Sequence, residues 1–281
     1  MPVSVRSEIK VWQRRERGKQ LSIWLGWLVG TALFLYCWQF ISDSTMWIFV
    51  WDSPRVAADI GSRMVPPAWS YMNKLWVPLW DTINIATLGT VIAIFFAVPV
   101  AFLAARNTAP SVTVRIGGRS IKFSTRPLAL LIIVSSRSIN SLIWALLLVS
   151  IVGPGLFAGV IAIGLRSIGF IAKLLYEAIE EIDQNQVEAI TAAGASRAQV
   201  MAYAIVPQIM PAFAGIAVFR WDINIRESTV LGLVGAGGIG LQLQASLNVL
   251  AWPQVTVILL SILVAVLVSE LVSARVRHAI I

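Results

Sequence analysis

Apolar residues fill most of the chain in long runs, and the polar positions gather in short clusters between them. Leu21 to Ile41 carries no charge over 21 residues, which as one helix crosses a hydrocarbon core of about 30 Å. Trp80 to Ala105 is a second run, with Asn84 near its start and a Pro99 kink expected near its end. Leu128 to Ile151 and Pro154 to Ala172 follow, joined by the tight turn Gly153-Pro154-Gly155. A fifth segment starts near Ile209, and a sixth covers Val255 to Val272. The pattern predicts an all-α integral membrane protein with about six spans.

The polar stretches between the spans have patterns of their own. Ser53-Pro54 reads as N-cap and N1 of a short helix, and Pro66-Pro67 as its stop. Val56, Ile60 and Met64 fall at four-residue spacing beside a stripe of Arg55, Asp59 and Arg63, as in a helix lying on the outer membrane surface. Trp47, Phe49, Trp51, Trp69, Tyr71 and Trp76 surround it and suit a membrane interface.

Composition agrees with the pattern: 58% hydrophobic residues, 13% charged and a mean hydropathy of +0.80, against a charged share of about 25% in soluble domains. The net charge of +8 does not point to nucleic acid, because the basic residues sit in short segments beside apolar runs, where membrane topology accounts for them. On the six-span reading, 15 of the 22 lysines and arginines lie on the side of both termini, 3 on the other, and 4 inside spans. Both termini are therefore expected in the cytoplasm. The first span lacks the short apolar region and small-residue cleavage site of a leader and is expected to stay. Cys37 is the one cysteine and His278 the one histidine, so neither an internal disulfide nor a histidine-based metal site is expected, and no metal is assigned.

Four charges, Arg220, Asp222, Arg226 and Glu227, fall in the fifth segment, where each costs about 2.5 to 3.5 kcal/mol at mid-bilayer unless it faces protein or water. Arg220, Asn224 and Glu227 share a helix face, and Asp222 with Arg226 forms an i, i+4 pair beside it. In the third span Arg137 stands among Ser135, Ser136, Ser138, Asn140 and Ser141. Arg137 and Arg220 each lie about nine residues into their spans, roughly 13 to 14 Å at 1.5 Å per residue, near the middle of the core. Cations at one depth, partly offset by carboxylates, suit an anion that must pause without sticking; the competing reading is that the charges only lock helices together. Arg166 is expected to snorkel to the cytoplasmic end of its span.

Gly232 to Gly240 includes a literal Gly-x-Gly-x-x-Gly at Gly235, Gly237 and Gly240. It lies within Ser228 to Ser269, 42 residues without a charge, so a dinucleotide site is the wrong context. A broken or re-entrant segment lining a passage, with Gly235, Gly237 and Gly238 in it, is expected instead.

The remaining polar island, about residues 173 to 208, holds Glu188-Ala189-Ile190-Thr191-Ala192-Ala193-Gly194-Ala195-Ser196 and then Pro207. Asn185 and Glu188 are spaced as N-cap and N3, Gly194 as a helix stop, and Ser196 and Gln199 as a second capping box. Two short capped helices between spans form a knob, and a knob implies a socket on a partner. Glu188, Ala189, Gly194, Ala195 and Pro207 resemble the cytoplasmic loop of ABC importer permeases, although Ile190 stands where that family has a second Ala. Ala104-Ala105-Arg106-Asn107, Trp144 to Leu147, Gly169 to Leu174, Glu177 to Asp183 and Asn224 to Gly240 are similar to the permease of phosphonate ABC importers.

That resemblance implies the transmembrane domain of a type I importer, residues 21–281, behind a basic cytoplasmic tail of residues 1–20. It implies a homodimer in the cell membrane with two copies of an ATPase, whose groove takes the knob, and an outside phosphonate-binding protein. No Gly-x4-Gly-Lys-[Ser/Thr] occurs, so no cofactor is expected on this chain, and ATP with Mg belongs to the ATPase. Two rivals are weaker. A membrane enzyme of lipid or cell-wall synthesis would need a carboxylate or metal cluster, for which Glu177, Glu180, Glu181 and Asp183 are the candidates; no Asp-x-x-Asp is present. A secondary transporter would show inverted repeats, and none is visible.

Overall fold

The computed structural model describes residues 3–109, 111–116 and 119–280, and the side chains of residues 16, 18–109 and 124–279. The side chains of Arg6, Lys10, Arg14, Arg15, Arg17, Arg115, Arg119 and Lys122, which enter the topology count, lie outside the described ones. The chain divides into two compact units, residues 1–60 and 61–281. In the first, α1 (Val3–Ser44) is a single helix of 42 residues. The boundary expected at residue 20 lies inside it. From Gly18 onward it is apolar on every side, with Trp24, Trp27, Leu28, Phe34 and Phe40 exposed, as a helix surrounded by lipid is.

The second helix, α2 (Trp47–Met64), begins earlier than its cap signal. Ser53 is not its N-cap, and Pro54 lies inside it. Proline has no N–H for the carbonyl of Val50, and the Ser53 hydroxyl donates to that carbonyl at 2.7 Å, so the helix passes the proline with its acceptor satisfied.

In the second unit a 3₁₀ turn (Trp69–Lys74) leads into α3 (Trp76–Ala104). A two-stranded antiparallel hairpin, β1 (Ser111–Ile116) and β2 (Arg119–Ser124), occupies the basic stretch between α3 and the next helix. Then come α4 (Arg126–Ser138), α5 (Ser141–Val152), α6 (Leu156–Glu180), α7 (Gln184–Ala192), α8 (Arg197–Val200), α9 (Val206–Leu231), α10 (Ile239–Asn248) and α11 (Trp252–Ile280). Among the described residues five helices are long and apolar enough to cross a membrane, and α4 with α5 makes a sixth span if taken together. That span is not the straight helix expected over 128–151. It bends by 87° at Ile139, whose extended backbone breaks the helix, and Asn140 restarts it by accepting the Leu142 N–H at 3.1 Å.

The core is the seam between α3 and α6. On α3, Thr82, Ala86, Gly89 or Thr90, Ala93, Ala97, Ala101 and Ala104 recur every three or four positions, and all are buried. Small residues let the backbones approach, which improves the van der Waals packing that helps drive helix association in lipid. A Cβ on Gly89 would meet Ile163 at 2.7 Å, and one on Gly169 would meet the Ile133 carbonyl at 2.6 Å. At one end of the bundle, Glu180 gathers three segments: it accepts the Arg106 N–H at 2.9 Å and lies 3.5 Å from the Arg126 guanidinium, while Asn107 donates to the Ile179 carbonyl. The Ala-Ala-Arg-Asn motif after α3 is thereby tied to the Glu-rich end of α6.

Candidate translocation site and coupling surface

Arg137, in the last turn of α4, and Arg220, in the middle of α9, come together on one aromatic ring. Their guanidinium carbons lie 5.3 Å and 5.0 Å from the centroid of Phe170 on α6. A cation over a ring is worth about 0.5 to 1 kcal/mol when exposed and about 2 or more when desolvated. The two cations differ in that respect, since Arg137 is exposed and Arg220 is 1% exposed. Arg220 is held by Ser167, to which its Nε donates at 3.0 Å, and by Glu227 at 3.4 Å. Ser167 donates to Asn224 at 3.1 Å, and Asn224 donates to Thr90 of α3 at 2.7 Å. A buried polar chain therefore joins α3, α6 and α9, each member satisfied by the next.

Arg166 does not reach for a membrane surface as expected. It turns inward, donates to Glu227 Oε1 at 2.8 Å and to the Ser141 hydroxyl at 3.3 Å, and completes a cluster of two arginines on one carboxylate oxygen. The snorkelling expectation fails because a carboxylate one helix away satisfies the charge at less cost than a stretched side chain. Arg166, Glu227, Arg226, Asn140, Ser141 and Ile223 line a cleft of about 530 Å³ at the α4–α5 break. Asp222 faces the other way: it pairs with Arg226 and accepts from Ser269 of α11 at 2.7 Å. The polar side chains of α9 thus form two sets, Arg220, Asn224 and Glu227 toward α6, and Asp222 toward α11.

Gly235, Gly237 and Gly238 have φ of +87°, +82° and +73°, so the chain after α9 turns through left-handed backbone that glycine alone adopts freely. The turn is covered by protein. A Cβ on Gly237 would lie 2.5 Å from Leu156, and one on Gly238 2.7 Å from the Thr82 hydroxyl. That hydroxyl accepts the Ile239 N–H at 2.8 Å and caps α10 in place of a side chain on Gly238. Gly155 in turn donates to the Gly235 carbonyl. The broken segment is present, and the cleft beside Arg166 does not include these glycines in its lining.

On the coupling side, Asp183, not Asn185, is the N-cap of α7, accepting the Asn185 N–H at 3.0 Å. Gly194 ends that helix with φ +84°, and Ser196 and Gln199 form the expected capping box. The second helix of the knob is not short. It runs from Arg197 through a π turn (Met201–Ile205) into α9, and Pro207 sits in the first turn of α9 instead of breaking it. The wider π turn moves the carbonyls ahead of Pro207 out of the way of its ring. Glu188, Ala189, Gly194 and Pro207 are exposed and Ala195 is half-buried, while Val187 packs on the apolar core. Gln208 holds the elbow to the bundle by accepting the Asp183 N–H at 2.9 Å. The carboxylates weighed as an enzyme site are dispersed: Glu177 pairs with Lys173, Glu180 with Arg106 and Arg126, and Asp183 caps.

A helical chain with several apolar spans, one of them broken beside buried charge, and an exposed capped elbow at one end is the membrane-embedded subunit of a transport system. The chain belongs to the family of binding-protein-dependent transport system inner membrane components, whose model matches residues 111–280. It is 39% identical over 263 residues, 90% of each chain, to the phosphite transport system permease protein PtxC of Stutzerimonas stutzeri. It is 36% identical over 219 residues, 78% of this chain and 39% of the other, to the phosphate-import permease protein PhnE of Mycolicibacterium smegmatis. Its fold matches the inward-facing methionine ABC transporter MetNI with a TM-score of 0.60 at 21% identity, over 75% of this chain and 98% of that one. The fold is that of ABC importer transmembrane domains.

Proposed function

We propose that this chain is the permease of an ATP-driven importer that carries phosphonate, or a phosphite- or phosphate-like anion, into the cytoplasm. The observation that carries the reading is the convergence of Arg137 and Arg220 on Phe170, beside a cleft that also holds Arg166 and Arg226. The relatives' substrates supply the anion class. Two copies of the chain pair with two ATPase subunits, and an outside binding protein delivers the solute. ATP with Mg acts on the ATPases; their closure moves the α7 elbow through Glu188, Ala189, Gly194, Ala195 and Pro207, and the spans rock between inward and outward access. The anion pauses at Arg137 and Arg220, and Glu227, with Asn224 and Arg226 at its side, keeps it from binding too tightly. Asp222 is paired with Arg226 and partly offsets its charge, and the turn at Gly235, Gly237 and Gly238 bounds the passage from the other end of the bundle. The test is uptake by vesicles containing permease and ATPase with loaded binding protein outside. Accumulation of methylphosphonate, phosphite or phosphate that needs ATP inside and binding protein outside is the expected result; uptake of none of the three ends the substrate reading.

Orientation follows from the charge asymmetry and has its own check. In a Cys37→Ser background, Ser62→Cys is expected to react with an impermeant maleimide added to intact cells, and Ser124→Cys only after permeabilisation. The reverse pattern would invert the topology.

A further inference from the structure

Glu227 occupies an unusual position for a residue whose task is to lock helices. One oxygen, Oε1, takes both Arg166 at 2.8 Å and Arg220 at 3.4 Å, while the other, Oε2, is buried with no hydrogen-bond partner. A carboxylate that served structure alone would use both oxygens, because an orphaned buried acceptor forfeits its hydration without compensation. The surroundings are those of an anion site. Arg220 is fully buried, Arg166 is three-quarters buried, and Arg226 lines the same cleft. Ser141 opens α5 and lines the cleft together with Asn140, Leu142 and Ile143, so the positive end of a broken helix adds to the guanidiniums. Arg137, with no carboxylate in ion-pair reach among the described residues, lies over the same Phe170 ring as Arg220.

We propose that Glu227 is a built-in counter-anion. Its carboxylate holds, between Arg166 and Arg220, the place that a tetrahedral oxyanion takes during passage, and the two exchange. The proposal rests on the anion-import reading above and deepens it by naming the site. Exchange explains the unsatisfied oxygen, since the carboxylate must be able to leave. It also explains how a pair of buried arginines avoids trapping the solute: when the anion moves on, Glu227 returns and discharges the site. Two oxyanion oxygens then replace the single Oε1, one for each guanidinium, and Ser141 supplies a hydroxyl at the same place.

The test uses the permease–ATPase complex in detergent and inorganic phosphate, phosphite and methylphosphonate as probes, without binding protein. Glu227→Gln removes the counter-anion and leaves both arginines, so at least one probe is expected to bind the variant complex at least tenfold more tightly than wild type and to raise its melting temperature, with no comparable rise in wild type. Adding Arg166→Gln to the variant is expected to abolish the gain. In vesicles the same Glu227→Gln complex is expected to transport more slowly at saturating solute, because release lacks its competitor. A Glu227→Gln complex that melts lower and is not restored by any of the three anions would make Glu227 a helix lock and overturn the proposal. Failure of wild-type vesicles to take up any of the anions would instead strike the substrate reading, so the two failures are distinguishable.

Discussion

Replacing Gly194 by valine is expected to abolish assembly with the ATPase while the membrane portion stays folded. Gly194 has φ +84° and no atom within 4 Å of where a side chain would begin, so the change meets no crowding and acts through the backbone. A β-branched residue held in left-handed backbone costs about 1 to 3 kcal/mol. The chain relieves that strain by unwinding the end of α7 or swinging the elbow, since the Gly194 N–H makes only the turn bond to Thr191 there. Either movement displaces Glu188 and Ala189, which are exposed on α7, from the surface offered to the partner. The bundle's core lies in the α3–α6 seam, which α7 reaches through Val187, so a displacement of α7 leaves most of the core's contacts in place. Copurification of the ATPase with the variant is expected to fall at least tenfold, with the melting temperature of the permease alone unchanged. Normal copurification and normal stimulated ATP hydrolysis would contradict the coupling role.

What could be read from the chain was local. The Gly194 turn and the Ser196–Gln199 box depend on residues a few positions apart, and both stand as read. The apolar runs located the spans for the same reason. The break at Ile139 was hidden because a hydropathy run averages over it, although Asn140 ahead of Ser141 is a cap signal inside the run. Ser53-Pro54 misled in the opposite sense, since a serine before a proline can also rescue a helix that continues. Asp222 and Arg226 paired as their spacing required. Glu227, on the same face of α9, was within reach of Arg220 by spacing, but the partners across the seam were not legible, because Ser167 and Phe170 meet Arg220 only after α6 and α9 choose their facing sides. One signal was available: Arg166 and Phe170 are four apart with Ser167 between, so a cation, a ring and a hydroxyl share one stripe of α6.

The arginines are expected to part company when each is replaced by glutamine. Arg220→Gln removes a guanidinium that is 1% exposed and bonded to Ser167 and Glu227, and breaking a buried pair costs about 3 to 5 kcal/mol. The lower end is expected, because Arg166 still holds Glu227 at 2.8 Å. Transport and thermal stability should therefore fall together. Arg137→Gln forfeits the contact with Phe170, about 0.5 to 1 kcal/mol for an exposed cation, so stability should hardly move. Its charge, however, acts on a passing anion at short range, where two unit charges 4 Å apart interact by about 4 kcal/mol at an effective dielectric near 20. A loss of uptake of at least tenfold is expected, without loss of assembly.

Arg137 is thus the residue at which passage and packing separate, and the decisive measurement is uptake of phosphite and methylphosphonate by vesicles holding Arg137→Gln or Arg137→Lys permease with ATPase and loaded binding protein. Lysine keeps the cation and glutamine does not, so the lysine variant is expected to retain a substantial part of wild-type uptake and the glutamine variant less than a tenth, at equal melting temperatures. Wild-type uptake in the glutamine variant would contradict the claim that these arginines form the path of the anion.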